Sequence, residues 1–141
     1  MALSETFVFE NTLIIDDSRM DCFIAEKILG STGLSRHTHS FLSGMDAFSF
    51  LKNQPALNPE LIILDIYMPL FAGIDFLEMY KELPIGQRTA KIVVMTSSLN
   101  ETDLQHYRDH PSVSGVISKP LTTSLLVMNA ALFAKDPAPA L

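Results

Sequence analysis

Short apolar runs alternate with stretches of helical period along the chain. Thr12-Leu13-Ile14-Ile15-Asp16 is almost entirely apolar, as a strand buried on both faces should be. Ser18 predicts the cap of a helix running to about Leu29, with Met20, Phe23, Ile24 and Ile28 spaced for one buried face. Gly30 and Gly33 are expected to stop it. Leu34 to Phe41 reads as a weaker strand, polar enough for a sheet edge. Ser43 predicts the cap of a second helix carrying Ala47, Phe48 and Leu51, which ends before Asn53-Gln54-Pro55.

The clearest strand is Leu61-Ile62-Ile63-Leu64-Asp65. Pro69 and Gly73 mark a loop, and a helix from about Ile74 to Leu83 follows, burying Phe76, Leu77 and Tyr80. Lys91 to Thr96 predicts a fourth strand, and Asn100 the cap of a helix whose apolar face is thin, with Leu104 and Tyr107. Val113 to Ser118 predicts a fifth strand, and Leu121 to Ala134 a last helix with Leu125, Leu126, Met128, Ala131 and Leu132. Five strands alternating with five helices, joined by right-handed crossovers, predict an α/β, doubly wound parallel sheet with helices on both faces. No repeat or linker interrupts the pattern, so residues 1–141 are expected to form a single domain with its core at about 11–134 and a frayed tail at 135–141.

Polar groups stand where the apolar runs end. Asp16-Asp17 follows the first, Asp65 closes the third, Thr96-Ser97-Ser98 closes the fourth, and Lys119-Pro120 follows the fifth. If the strands are parallel, all of these emerge at one carboxyl edge, where open α/β sheets bind ligands. Three carboxylates, a hydroxyl and an ammonium at that edge suit a divalent cation and a phosphoryl group.

Composition narrows the class. The chain has 141 residues, 48% of them hydrophobic and 18% charged, which describes a globular domain and excludes a disordered one. A domain of this size buries roughly 68–70% of its unfolded surface, enough for a core without staples. The formal charge of −6, with no basic stripe, argues against direct nucleic-acid binding. No apolar run reaches membrane-spanning length, the N-terminal residues lack the basic region of a signal peptide, and the single cysteine excludes an internal disulfide. A cytoplasmic location fits best. Cys22 reads as a small packing residue; His37, His39, His106 and His110 read as surface residues, and Arg19 as exposed.

Taken in order and at their spacing, these pieces resemble a response-regulator receiver domain of the CheY-like superfamily in two-component signalling. The resemblance rests on Leu13-Ile14-Ile15-Asp16-Asp17-Ser18, Leu61 to Pro69 with Gly73 after it, Val93-Val94-Met95-Thr96-Ser97, and Gly115-Val116-Ile117-Ser118-Lys119-Pro120. It implies a flavodoxin-like (βα)5 fold with strand order 2-1-3-4-5. It also implies that Asp65 accepts a phosphoryl group from phosphohistidine, an instance of covalent nucleophilic catalysis. Mg²⁺ (or Mn²⁺) would be held by Asp17, Asp65 and the Tyr67 carbonyl, with Asp16 acting mostly through water. Thr96 would bond a phosphoryl oxygen. Lys119 would pair with Asp65 before reaction and with the phosphoryl group after it, aimed inward by a cis bond to Pro120.

The chain departs from the family at Val116, three residues before the lysine, where relatives carry Tyr or Phe. With no ring to turn inward, a signal must travel through Thr96, Ser97 and the loop after them. Tyr67 is expected to cover the acyl phosphate and slow its hydrolysis. The chain is expected to be a stand-alone receiver, catalytic only toward its own phosphorylation and dephosphorylation, with output by protein binding. Its partners would be a histidine kinase or phosphotransfer protein and a downstream protein target, with the receiver a monomer or weak dimer. Open alternatives are a constitutive interaction module with a vestigial acidic site, a receiver excised from a larger hybrid kinase, and a phosphatase or phosphotransferase acting on small molecules.

Overall fold

The computed structural model describes residues 7–68, 73–97 and 101–135. In chain order the elements are β1 (Phe9–Ile15), α1 (Arg19–Ser31), β2 (Ser35–Phe41), α2 (Gly44–Asn53), β3 (Leu61–Asp65), α3 (Gly73–Tyr80), β4 (Lys91–Thr96), α4 (Glu101–Arg108), β5 (Gly115–Ser118) and α5 (Thr123–Met128). Short 3-10 turns lie at Ile85–Gln87 and Ala130–Phe133. The strands form one sheet in the order β2-β1-β3-β4-β5, and each neighbouring pair is parallel. This is the α/β, doubly wound, flavodoxin-like arrangement that the alternating pattern predicts.

Alternate residues of each central strand feed two cores. Leu13, Ile15, Ile62, Leu64, Ile92 and Val94 pack against α2, α3 and α4. Ile14, Ile63, Val93, Met95 and Ile117 pack against α1 and α5 on the other face. All five residues of β3 are buried, so its near-continuous apolar run is explained by helices on both sides. Each such side chain contributes about 1.5–3 kcal/mol by leaving water. Register brings Ile15 level with Leu64, Leu64 with Val94, and Val94 with Val116, so four strands end at nearly one height.

Several local expectations need correction. On α1 the buried residues are Cys22, Ala25 and Leu29, whereas Met20 and Phe23 are 65% and 52% exposed. The small side chains let this helix lie close to the sheet. Gly30 sits inside α1, which ends one residue later; Gly33, with a φ of 75°, makes the left-handed turn into β2. α3 ends at Tyr80 and not at Leu83. The fifth strand begins at Gly115, because Val113 is still in a turn closed by His110. The predicted last helix breaks at Asn129, whose side-chain amide donates to the Leu125 carbonyl; Met128 is exposed, Ala131 is also exposed, and Phe133 fills the core. The expected cap Asn100 and residues Pro69 and Ser98 lie outside the described residues, as do all but the first residue of the expected tail.

Candidate functional site

The acidic pair arises where β1 gives way to α1. Ser18 caps α1 by accepting the Asp21 N–H, and its own N–H donates to Asp16 Oδ1 at 2.9 Å. This turns the Asp16 carboxylate inward and leaves Asp17 exposed. Asp65 ends β3, 4% exposed, with the Tyr67 N–H donating to its Oδ1 at 3.3 Å. Among the described residues no hydrogen bond reaches its second oxygen, Oδ2. One ligand oxygen from each of Asp16, Asp17 and Asp65 lies within 4.8 Å of the others. That spacing and oxygen-only chemistry fit a hard divalent cation.

Lys119 crosses this cluster from the end of β5. Its Nζ lies 2.7 Å from Asp16 Oδ2, 3.1 Å from Asp21 Oδ2 and 3.4 Å from Asp65 Oδ1. The expected Lys119–Asp65 pair is therefore present, but Asp16 is the nearest partner. The Lys119–Pro120 bond is cis, as the resemblance implies. The Lys119 backbone N–H donates to the Thr96 carbonyl at 2.9 Å, which ties the two strand ends together. Thr96 is buried on β4, one residue past the level of Asp65, while Ser97 beyond it is exposed. Asp16, Asp17, Asp65, Thr96, Ser97 and Lys119 thus sit at one sheet edge, whereas Val116 lies within β5, level with Val94.

The electrostatics follow from this crowding. Burial, then the charge of Asp16, push the Asp65 carboxyl up to about 6, against the smaller pull of Lys119 and the Tyr67 N–H. Burial works against the Lys119 charge, but its bonds to Asp16 and Asp21 outweigh it and raise its pKa above the ordinary lysine value. Burial drives the Cys22 thiol up to about 11, an inert packing residue as expected.

Gly73 sits in a tight space where α3 begins. A Cβ there would stand 3.0 Å from Ile66 Cα and 3.1 Å from the Asp65 carbonyl oxygen. On the far side of the loop, the Tyr67 hydroxyl donates to Asp103 of α4 at 2.6 Å, and the Tyr107 hydroxyl of α4 accepts the Ile74 N–H of α3 at 3.1 Å. Two tyrosines thus brace α4 against the segment next to Asp65. Val116 is half-buried and packs against the α2–α3–α4 layer.

Three residues were misjudged or missed in the sequence. The His110 side chain is only 7% exposed and accepts the Ser112 N–H, so it is a turn-forming residue and not a surface one. His39 is half-buried against Phe50 and bonded to Asn11. Asp21 went unnoticed, although Ser18-Arg19-Met20-Asp21 has the spacing of a capping box, which places the fourth residue in the first turn at this edge.

A family model described as the response regulator receiver domain matches residues 12–131. The chain belongs to the response regulator receiver family. Response regulator Rcp1 from Synechocystis sp. is 29% identical over 96 residues, covering 65% of this chain and 65% of that protein. Hybrid signal transduction histidine kinase G from Dictyostelium discoideum is 29% identical over 86 residues, 61% of this chain but 2% of the kinase. The receiver therefore spans just under two thirds of one curated relative and a small fraction of the other. Among solved structures, a two-component response regulator from Cytophaga hutchinsonii has a TM-score of 0.78 at 25% identity, covering 89% of this chain and 96% of that one. A response regulator receiver protein from Dyadobacter fermentans has a TM-score of 0.77 at 29% identity, covering 89% and 99%. Receiver domains are signalling modules of two-component systems that bind Mg²⁺ at an acidic site and interact with histidine kinases or phosphotransfer proteins. Among the described residues, no helix is long and apolar enough to cross a membrane.

Proposed function

We propose that this receiver takes a phosphoryl group onto Asp65 from a phosphohistidine and signals by phosphorylation-dependent protein binding. The observation that carries the reading is the convergence on Asp65 of Asp16, Asp17 and Lys119 from separate strand ends, within 4.8 Å for the carboxylates and 3.4 Å for the ammonium. An oxygen of Asp65 attacks phosphorus, the bond from phosphorus to the imidazole nitrogen breaks, and the imidazole leaves with a proton. Oδ2 is the oxygen left free to attack, since the Tyr67 N–H and Lys119 both engage Oδ1. Lys119 and the Thr96 hydroxyl then hold phosphoryl oxygens, and the Lys119 charge offsets the added negative charge. Asp17, Asp65 and the Tyr67 carbonyl would hold Mg²⁺, with Asp16 beside them, and the ion would supply the positive charge that lets one anion approach another.

Output would pass through the α4–β5–α5 face to a protein target. Val116 favours one rival, a constitutive interaction module whose acidic site is vestigial. Incubation with acetyl phosphate and Mg²⁺, followed by intact mass, separates the two. The proposal expects one phosphoryl adduct that disappears in Asp65→Asn and without Mg²⁺. An unmodified wild-type protein supports the rival.

A further inference from the structure

Lys119 has a partner that the phosphoryl-acceptor chemistry leaves unused. Asp21 Oδ2 stands 3.1 Å from its Nζ, closer than Asp65 at 3.4 Å. The pair joins α1 to the end of β5 across 98 residues of sequence. Asp21 is fixed in the first turn of α1, where its N–H donates to the Ser18 hydroxyl, and Ser18 in turn holds Asp16.

An ammonium has three donors. Here three carboxylates surround it: Asp16, Asp21 and Asp65. A phosphoryl group on Asp65 takes over the donor that Asp65 Oδ1 holds at 3.4 Å, and gains a second Lys119 donor only if Asp16 or Asp21 releases one. Asp16 is a poor candidate, since its side chain is 9% exposed and a buried carboxylate left unpaired is costly. Asp21 is 36% exposed, so water can replace the ammonium there at small cost.

We infer that Asp21 is a positioning residue for Lys119, holding its ammonium toward α1 before reaction and competing with the phosphoryl group for it afterwards. The inference rests on the phosphoryl-acceptor reading of Asp65. It assigns Asp21 the setting of the acyl phosphate's lifetime: the more strongly Asp21 holds Lys119, the less Lys119 shields the phosphoryl group from water.

Two measurements on the full chain test it, using wild type, Asp21→Asn and Asp21→Glu. In Mg²⁺-free buffer, an amine-selective reagent followed by peptide mass reads the reactivity of Lys119. The expected result is a several-fold faster modification in Asp21→Asn and near wild-type behaviour in Asp21→Glu. After loading with acetyl phosphate and Mg²⁺, decay of the adduct is followed by intact mass. Asp21→Asn should lengthen the lifetime several-fold, and Asp21→Glu should restore it. Unchanged Lys119 reactivity overturns the contact. Raised reactivity with an unchanged lifetime overturns the positioning role and leaves a structural ion pair. A wild-type protein that takes no phosphoryl group overturns the Asp65 reading and the positioning role together, and the reactivity assay still reports whether the ion pair exists.

Discussion

Replacing Asp65 with Asn should stabilise the metal-free receiver. Asp65 is 4% exposed and faces Asp16, and its carboxyl is pushed from an ordinary 3.8 to about 6. At 1.36 kcal/mol per pH unit, holding it ionised in the folded state costs on the order of 3 kcal/mol above pH 6. The sign follows from proton linkage. The folded protein binds this proton more tightly than the unfolded chain, so the penalty is absent below about 3.8, grows as pH rises toward 6, and is complete above that. Asn is neutral throughout. Lys119 keeps Asp16 and Asp21 as partners in the variant, so no ammonium is orphaned. Allowing for imperfect hydrogen bonding by the amide, the gain should be about 1–3 kcal/mol at pH 7.5, or about 3–10 °C in Tm for a domain of this size. Thermal melts in EDTA between pH 5 and 8 measure it. A variant melting at or below wild type at pH 7.5, with a parallel pH profile, refutes the reasoning.

Three further outcomes follow. Mg²⁺ should raise the wild-type Tm by mass action, about 2.7 kcal/mol at one hundred times its Kd, and the same titration on Asp17→Asn should need far more metal. Lys119→Met should have the opposite sign to Asp65→Asn in metal-free buffer, costing about 3–5 kcal/mol in denaturant unfolding, because Asp16 and Asp65 lose their shared cation. Tyr67→Ala should shorten the lifetime of the acyl phosphate, followed as loss of adduct mass; an equal or longer lifetime counts against Tyr67 as a cover.

Much of this architecture could be read from residue order because burial on both faces leaves a plain trace. β3 and β4 begin and end where their apolar runs do, since no solvent face interrupts them. The site was legible for the same reason: each polar group ends one of those runs. Helix faces were harder. α1 offers two apolar stripes, and the larger side chains, Met20 and Phe23, lie on the one that faces out. Periodicity alone cannot tell which stripe the sheet receives, because that depends on how closely Cys22 and Ala25 let the helix approach. α5 carries a helical pattern past Asn129, yet the side-chain bond to Leu125 turns the chain into a 3-10 turn there. Asp21 meets Lys119 only through the crossing of α1 and β5, and no local spacing contains that meeting. The Tyr67–Asp103 bond is likewise a product of α4 packing, which a thin apolar face does not specify in advance.

Borohydride trapping tests the central claim most directly. An acyl phosphate on a carboxyl side chain is reduced to an alcohol, which marks its position permanently in a peptide map. After treatment with acetyl phosphate and Mg²⁺, reduction should convert residue 65 alone to homoserine. Conversion at Asp16, Asp17 or Asp21 in its place, or no conversion at all in folded protein with Mg²⁺ present, would contradict the account.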